Sequence, residues 1–194
     1  MNEFENIRVS HGPYIELMVD NPTGLQMVGK GAHGAVFRLS GNRCVKIYPD
    51  KTIASMETAA YSRTKYSEII PKLYETGENY LVMEFIEGVS LSELLSDKRE
   101  ITFSLSSELT DLFREMHNLG FTRLDASLRH IIVTPGNRLK LIDLVHAYEQ
   151  YEEYPRLAFD DLKKLSLLSA YLIHLEKIDP ELYIKWLERD ESHK

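Results

Sequence analysis

VGKGAHGAVFRLSGNRCVKIY, residues 28–48, is the stretch on which the reading of this chain turns. Gly29, Gly31, Gly34 and Val36 fit the pattern G-x-G-x-x-G-x-V. Glycines at that spacing let backbone amides approach a polyphosphate with no Cβ in the way. A dinucleotide-binding turn would need a helix directly after the third glycine. Here a short apolar run and the turn Ser40-Gly41-Asn42 follow, and then a strand that carries Lys46. That context favours a hairpin over nucleotide phosphates, whereas the glycines alone fit an ordinary glycine-rich hairpin equally well. In RCVKIY the side chains alternate, so Cys44, Lys46 and Tyr48 share one face and Val45 and Ile47 the other. A lysine between apolar neighbours on a central strand needs an anionic partner. Phosphate oxygens would serve, and so would Glu57 on the following helix; one turn on the residue is Tyr61, so no rival acid stands there. The plain alternative is an edge-strand lysine facing water.

Working outward, residues 14–19 and 25–29 read as short strands separated by Asn21-Pro22-Thr23-Gly24. Residues 34–39 and 43–48 form the hairpin, residues 50–66 a helix with Ile53, Met56, Glu57 and Ala60, and NYLVME a strand ending near Glu84. After residues 85–90 the chain turns helical. Ser90-x-x-Glu93 is a capping-box pattern. Leu105, Leu109, Leu112, Phe113 and Met116 fall on one helical face, and Gly120 stands where a helix-ending glycine belongs. A hairpin around Pro135-Gly136-Asn137 follows, then helices over 160–176 and 180–189, the second with Asp179 as N-cap and Pro180 in its first turn. A strand-rich half followed by a helical half predicts an α+β fold.

A third signal is FTRLDASLRHIIVTPGNRLKLID, residues 121–143, where Asp125 and Asp143 are separated by a loop and a hairpin. Such a pair can place one carboxylate at a nucleophile and the other at a metal, although paired aspartates are common by chance.

In this order the three signals resemble the protein-kinase superfamily over about residues 25–165: glycine loop, strand lysine, helix glutamate, hinge, catalytic-loop aspartate and metal aspartate. The compact first half and abbreviated second half look most like the small atypical kinases: the RIO type, the small kinase of the tRNA-modification complex, and bacterial relatives. The resemblance implies two lobes, a small antiparallel β N-lobe over 1–88 and a reduced helical C-lobe over 89–194, with ATP bound between them. In LVMEFIEG, Met83 would be the gatekeeper, and the backbone of Glu84 and Ile86 would face adenine. Val36, Cys44 and Ile132 would line the adenine pocket. Lys46, braced by Glu57, would hold the α- and β-phosphates, Asp143 would carry Mg²⁺, and Asp125 would orient the acceptor hydroxyl and take its proton.

The chain also departs from the kinase pattern. H-R-D becomes Arg123-Leu124-Asp125, so the arginine that reads a phosphorylated activation loop is missing. The metal-binding Asn becomes His130, which predicts a weakened second metal site and a preference for Mn²⁺ over Mg²⁺. D-F-G becomes Asp143-Leu144-Val145; Pro155 follows shortly with no A-P-E, so the peptide-docking platform looks reduced. The implied activity is ATP-dependent phosphotransfer, with protein serine or threonine as acceptor. Two rivals are a pseudokinase that acts as a nucleotide-responsive binding module, and a small-molecule kinase.

Composition narrows the partners. The chain has 194 residues, 43% hydrophobic, with a formal net charge of -7. That balance disfavours nonspecific nucleic-acid binding. The one cysteine, Cys44, excludes an internal disulfide, and the seven histidines show no metal-ligand spacing. With no signal peptide and no apolar run long enough for a membrane span, a cytoplasmic protein is expected. His33 reads as a solvated loop histidine and His117 as a packing residue. Most of the eleven tyrosines read as half-buried packing residues, and Glu149, Glu152 and Glu153 as a solvated acidic stretch.

Overall fold

A computed structural model describes residues 3–12 and 16–192, the last two by their backbone alone. The chain divides into two compact units, one of residues 1–86 with 143–145, the other of residues 87–142 with 146–194.

The first unit holds strands β1 (Arg8–His11), β2 (Leu17–Asp20), β3 (Met27–Lys30), β4 (Ala35–Arg38) and β5 (Arg43–Ile47), helix α1 (Lys51–Thr64), and strands β6 (Leu73–Thr76) and β7 (Tyr80–Glu84). β1 and β2 pair as a hairpin, and the others form an antiparallel sheet in the order β3-β4-β5-β7-β6. Of the expected strand over 14–19, residues 14 and 15 lie outside the described residues. β1 and β6 have no counterpart in the sequence reading. Both are largely exposed, so backbone pairing makes them strands and no buried stripe announces them.

The register assigns the two faces of the sheet. Val36 pairs with Lys46, Lys46 with Leu81 and Cys44 with Met83, so Val36, Cys44, Lys46 and Met83 lie on one face. The other face carries Ala35, Phe37, Val45, Ile47 and Val82, and Phe4, Ile7 and Leu17 cover it. Burying one such side chain contributes about 1.5–3 kcal/mol, and truncating the fully buried Phe37 to Ala would cost about 3–5 kcal/mol. α1 begins at Asp50, whose carboxylate accepts from the Thr52 amide at 2.6 Å. It buries Ala54, Glu57, Ala60, Tyr61 and Thr64 along one side.

The second unit holds β8 (Val89–Ser90), α2 (Leu91–Lys98), α3 (Phe103–Asn118), a 3-10 turn (Leu128–His130), β9 (Ile131–Val133), β10 (Leu139–Leu141), α4 (Arg156–Lys164), α5 (Leu168–Ile178) and α6 (Pro180–Ser192). The capping box at Ser90 is complete: its hydroxyl accepts from the Glu93 amide, and Glu93 accepts from the Ser90 amide at 3.0 Å. α3 ends as its glycine requires. Gly120 has φ 73, its amide donates to the His117 carbonyl, and the Phe121 amide donates to Met116, so two orphan carbonyls are satisfied.

The helix expected over 160–176 is in fact two, α4 and α5. Ser166 adopts φ 61, and the same pair of bonds runs from Ser166 to Lys163 and from Leu167 to Leu162. A serine does here what glycine did after α3, which is why composition gave no break. Phe159 stands edge-on to Tyr154, Tyr171 and Trp186, and Trp186 edge-on to Phe113, which ties α3, α4, α5 and α6 around one aromatic centre. Among the described residues, no helix is long and apolar enough to cross a membrane.

Candidate functional site

The first unit gathers Lys46, Glu57 and Asp143. Lys46 Nζ donates to Glu57 Oε2 at 2.7 Å and to Asp143 Oδ1 at 3.2 Å. Lys46 thus has protein carboxylates for anionic partners, one of the two kinds its strand position admitted. Glu57 is completely buried and accepts two further bonds, from the Tyr48 hydroxyl at 2.6 Å on Oε2 and from the Leu144 amide at 2.9 Å on Oε1. Burial alone would push the Lys46 ammonium toward its neutral form, but Glu57 and Asp143 outweigh it and hold the group above the ordinary lysine value. Asp143 keeps 24% side-chain exposure and stands at φ 69. His33 Nδ1 lies 3.9 Å from Asp143 Oδ2, so the loop histidine faces the metal-aspartate candidate and is not simply solvated.

The three glycines have different reasons to be glycine. A Cβ on Gly34 would meet the Ile47 carbonyl at 2.6 Å, so folding of the hairpin requires it. A Cβ on Gly31 would meet nothing within 4 Å, and one on Gly29 only Val36 at ordinary contact distance. At Gly31 the protein leaves space it does not itself use, which suits a ligand approaching the backbone.

The remaining candidates in this unit stand along the same sheet face or after it. The Cys44 thiol, buried, lies 3.8 Å from the Glu84 carbonyl. Burial, partly offset by Arg38 and Lys46, pushes it up to about 12, so it stays protonated and unreactive at neutral pH. Tyr61 donates its hydroxyl to Met83 Sδ at 3.3 Å, pinning the gatekeeper candidate from α1. The Glu84 amide donates to the Lys72 carbonyl, and Ile86 closes the unit, half-buried.

In the second unit, Asp125 is closed in. Its side chain is 1% exposed. Oδ2 accepts from Arg123 and Arg156, each at 3.3 Å, and Oδ1 accepts from the Leu157 amide at the start of α4. The segment after residue 145 is held beside it, because Arg123 and Glu152 form an isolated parallel bridge and the Leu124 amide donates to the Glu152 carbonyl at 2.7 Å. Asp161 on α4 accepts from the Ser127 hydroxyl at 2.8 Å and the Leu128 amide at 3.2 Å, fixing the loop from behind. His130 Nε2 accepts from Arg129 Nε at 3.2 Å. Ile132, half-buried on β9, pairs with Lys140 and Ser90.

The structure thus brings Lys46, Glu57 and Asp143 together and places Val36, Cys44, Lys46 and Met83 on one sheet face, while Glu84, Ile86 and Ile132 lie elsewhere. Sequence reasoning did not find Tyr48, Arg156, Asp161 or the Leu144 amide. Tyr48 had a signal, since alternation put it on the face of Lys46. Arg156 and Asp161 had none, because only the turn of the chain into α4 brings them to the loop.

A magnesium nucleotide is the ligand that the kinase resemblance implies, and its metal would need a carboxylate among these residues. Among the described residues there is no group of three or more His, Cys, Asp or Glu side chains able to hold a metal by itself. Mg²⁺ is often held through one or two carboxylates together with phosphates and water. Asp143 would be the carboxylate that holds it; its Oδ1 lies 3.2 Å from Lys46 Nζ and its Oδ2 3.9 Å from His33 Nδ1.

No family model matches the chain. Over 144 residues it is 28% identical to "Putative serine/threonine-protein kinase YrzF" of Bacillus subtilis (strain 168), a match covering 72% of this chain and 66% of that protein. The chain has a protein-kinase-like fold. A crystal structure of Rad53 1-466 in complex with AMP-PNP aligns with a TM-score of 0.49 at 20% identity, over 61% of this chain and 36% of that one, a likeness too loose to add weight.

Proposed function

We propose that the chain is an ATP-dependent phosphotransferase acting on serine or threonine of a protein. The observation that supports it most is the ammonium of Lys46 held between Glu57 and Asp143. On this reading residues 1–88 supply the nucleotide side, together with Asp143, and residues 89–194 the acceptor side. Val36, Cys44, Met83 and Ile132, with the backbone of Glu84 and Ile86, receive adenine. Gly29, Gly31 and Gly34 leave the backbone open to the phosphates. Lys46 binds the α- and β-phosphates and Glu57 fixes its position. Asp143 and, once Arg129 releases it, His130 hold Mg²⁺ or Mn²⁺, which supplies charge neutralisation on the phosphates when bound. Asp125 orients the acceptor hydroxyl and takes its proton. The protein works in the cytoplasm, without nucleic acid or membrane as partner.

One observation favours a second reading, a nucleotide-responsive pseudokinase: two guanidiniums and a backbone amide cover Asp125, whose side chain is 1% exposed. The reduced segment between Asp143 and Pro155 keeps a small-molecule acceptor in the comparison. Lys46→Ala, followed by thermal shift with ATP and Mg²⁺ and by ATP turnover with peptide and metabolite pools, tests all three. The proposal expects loss of both the nucleotide-induced shift and turnover. A shift in the wild type with no turnover on any pool supports the pseudokinase, and an unchanged shift in the variant removes Lys46 from the site.

A further inference from the structure

We infer that Tyr48 is a positioning residue, whose hydroxyl holds the Glu57 carboxylate where it meets Lys46; this rests on the nucleotide site proposed above. Tyr48 is completely buried, just past the end of β5, and its amide donates to the Asn79 carbonyl at 2.8 Å, so its backbone is anchored beside β7. Its hydroxyl and Lys46 Nζ converge on the same oxygen, Glu57 Oε2, at 2.6 and 2.7 Å.

The three donors to Glu57 are not equivalent. Lys46 already divides its protons between Glu57 and Asp143, and arriving phosphates would draw on them further. The Leu144 amide belongs to the segment next to the proposed metal aspartate. Tyr48 alone has no duty toward a ligand. When Lys46 turns to phosphate, the Tyr48 bond keeps a fully buried carboxylate hydrogen-bonded, so Glu57 need not move. Burial, reinforced by the Glu57 charge, drives the phenol well above the ordinary tyrosine range. Tyr48 therefore keeps its proton and remains the donor in this bond. The lysine–glutamate pair is then set by the sheet itself, before any nucleotide arrives.

The test is ATP affinity by calorimetry at fixed Mg²⁺ for the full chain, comparing Tyr48→Phe, Glu57→Gln, their combination and Lys46→Ala. Phenylalanine keeps the buried ring and removes only the donor. Tyr48→Phe is expected to weaken ATP roughly tenfold, as loss of a hydrogen bond to a charged group does. The double variant should be no weaker than Glu57→Gln alone, because Tyr48 acts through Glu57. Independent losses that multiply in the double variant would overturn the inference. So would Tyr48→Phe within twofold of wild type while Lys46→Ala abolishes binding, an outcome that leaves the nucleotide site intact. Wild-type affinity in Lys46→Ala would overturn the site and the inference together.

Discussion

Glu57 and Asp125 are both carboxylates shut away from water, and each accepts from three donors. The donors differ in kind. Around Glu57 they are a buried ammonium, a buried phenol and a backbone amide, all fixed by the sheet and the chain after it. Around Asp125 they include two guanidiniums on side chains that remain 23% and 42% exposed. Long cationic arms with one end in water can leave at modest cost, since water resolvates them. A buried strand lysine and tyrosine have no such alternative. The first arrangement suits a group that must keep its place, and the second a group that is covered at rest and uncovered in use.

A crossed pair of variants would break this comparison most directly. Asp125→Asn should lower phosphotransfer by about 10²–10⁴-fold, the usual contribution of a positioned general base. Its stability in urea should move by no more than about 1 kcal/mol, because the amide still accepts and the arginines can turn to solvent. Glu57→Ala should do the reverse to stability: removing one partner of a buried ion pair costs about 3–5 kcal/mol. That is a large part of the about 5–15 kcal/mol that holds a domain folded. Equal stability losses in the two proteins would show that the two carboxylates are held alike.

A smaller effect is expected when the cover of Asp125 is loosened. Arg156 has another carboxylate within reach, Asp160 at 3.9 Å on its own helix. Arg156→Gln removes a charged donor from Asp125 and leaves Arg123 and the Leu157 amide. Turnover of ATP should rise by up to about tenfold, matching the about 1.5 kcal/mol of a hydrogen bond between charged groups. A rate that falls instead, with ATP affinity unchanged, would make Arg156 part of the working site and end the idea of a removable cover.

These two regions also differ in how far they could be read from sequence. Lys46 and Glu57 were legible from pattern, as a strand lysine between apolar neighbours and a helix glutamate, and Asp143 joined them through the kinase resemblance. Strand alternation even put Tyr48 on the right face. The closure of Asp125 was not legible. Arg156 and the Leu157 amide reach it only because the chain after residue 145 pairs with the segment that carries Asp125 and then starts α4 directly, and backbone pairing of that sort leaves no hydrophobic pattern. The break at Ser166 escaped for a related reason, since a left-handed serine carries no composition signal. The capping box at Ser90 and the ending at Gly120 were legible because there local chemistry and backbone agree.

The smallest expected effect concerns His130, on the loop that follows Asp125. Imidazole nitrogen is softer than the amide oxygen expected at this position and suits Mn²⁺ better than Mg²⁺. Its Nε2, however, already accepts from Arg129 at 3.2 Å, and a guanidinium at that distance opposes a dication on the same nitrogen. Ligation by His130 therefore requires Arg129 to leave. It follows that the wild-type preference for Mn²⁺ should be slight, and that Arg129→Ala should enlarge it by removing the guanidinium from this nitrogen. His130→Asn should remove the preference, and Arg129→Ala should have no effect in the His130→Asn background. The shift should stay below the roughly tenfold that loss of a well-made partner to a metal ligand brings, because Arg129 here competes with the metal and does not support it. Initial rates against Mg²⁺ and Mn²⁺ concentration for the four proteins decide the point. Identical metal profiles in all four would place His130 outside the metal shell and leave it, with Arg129, as a brace of the loop.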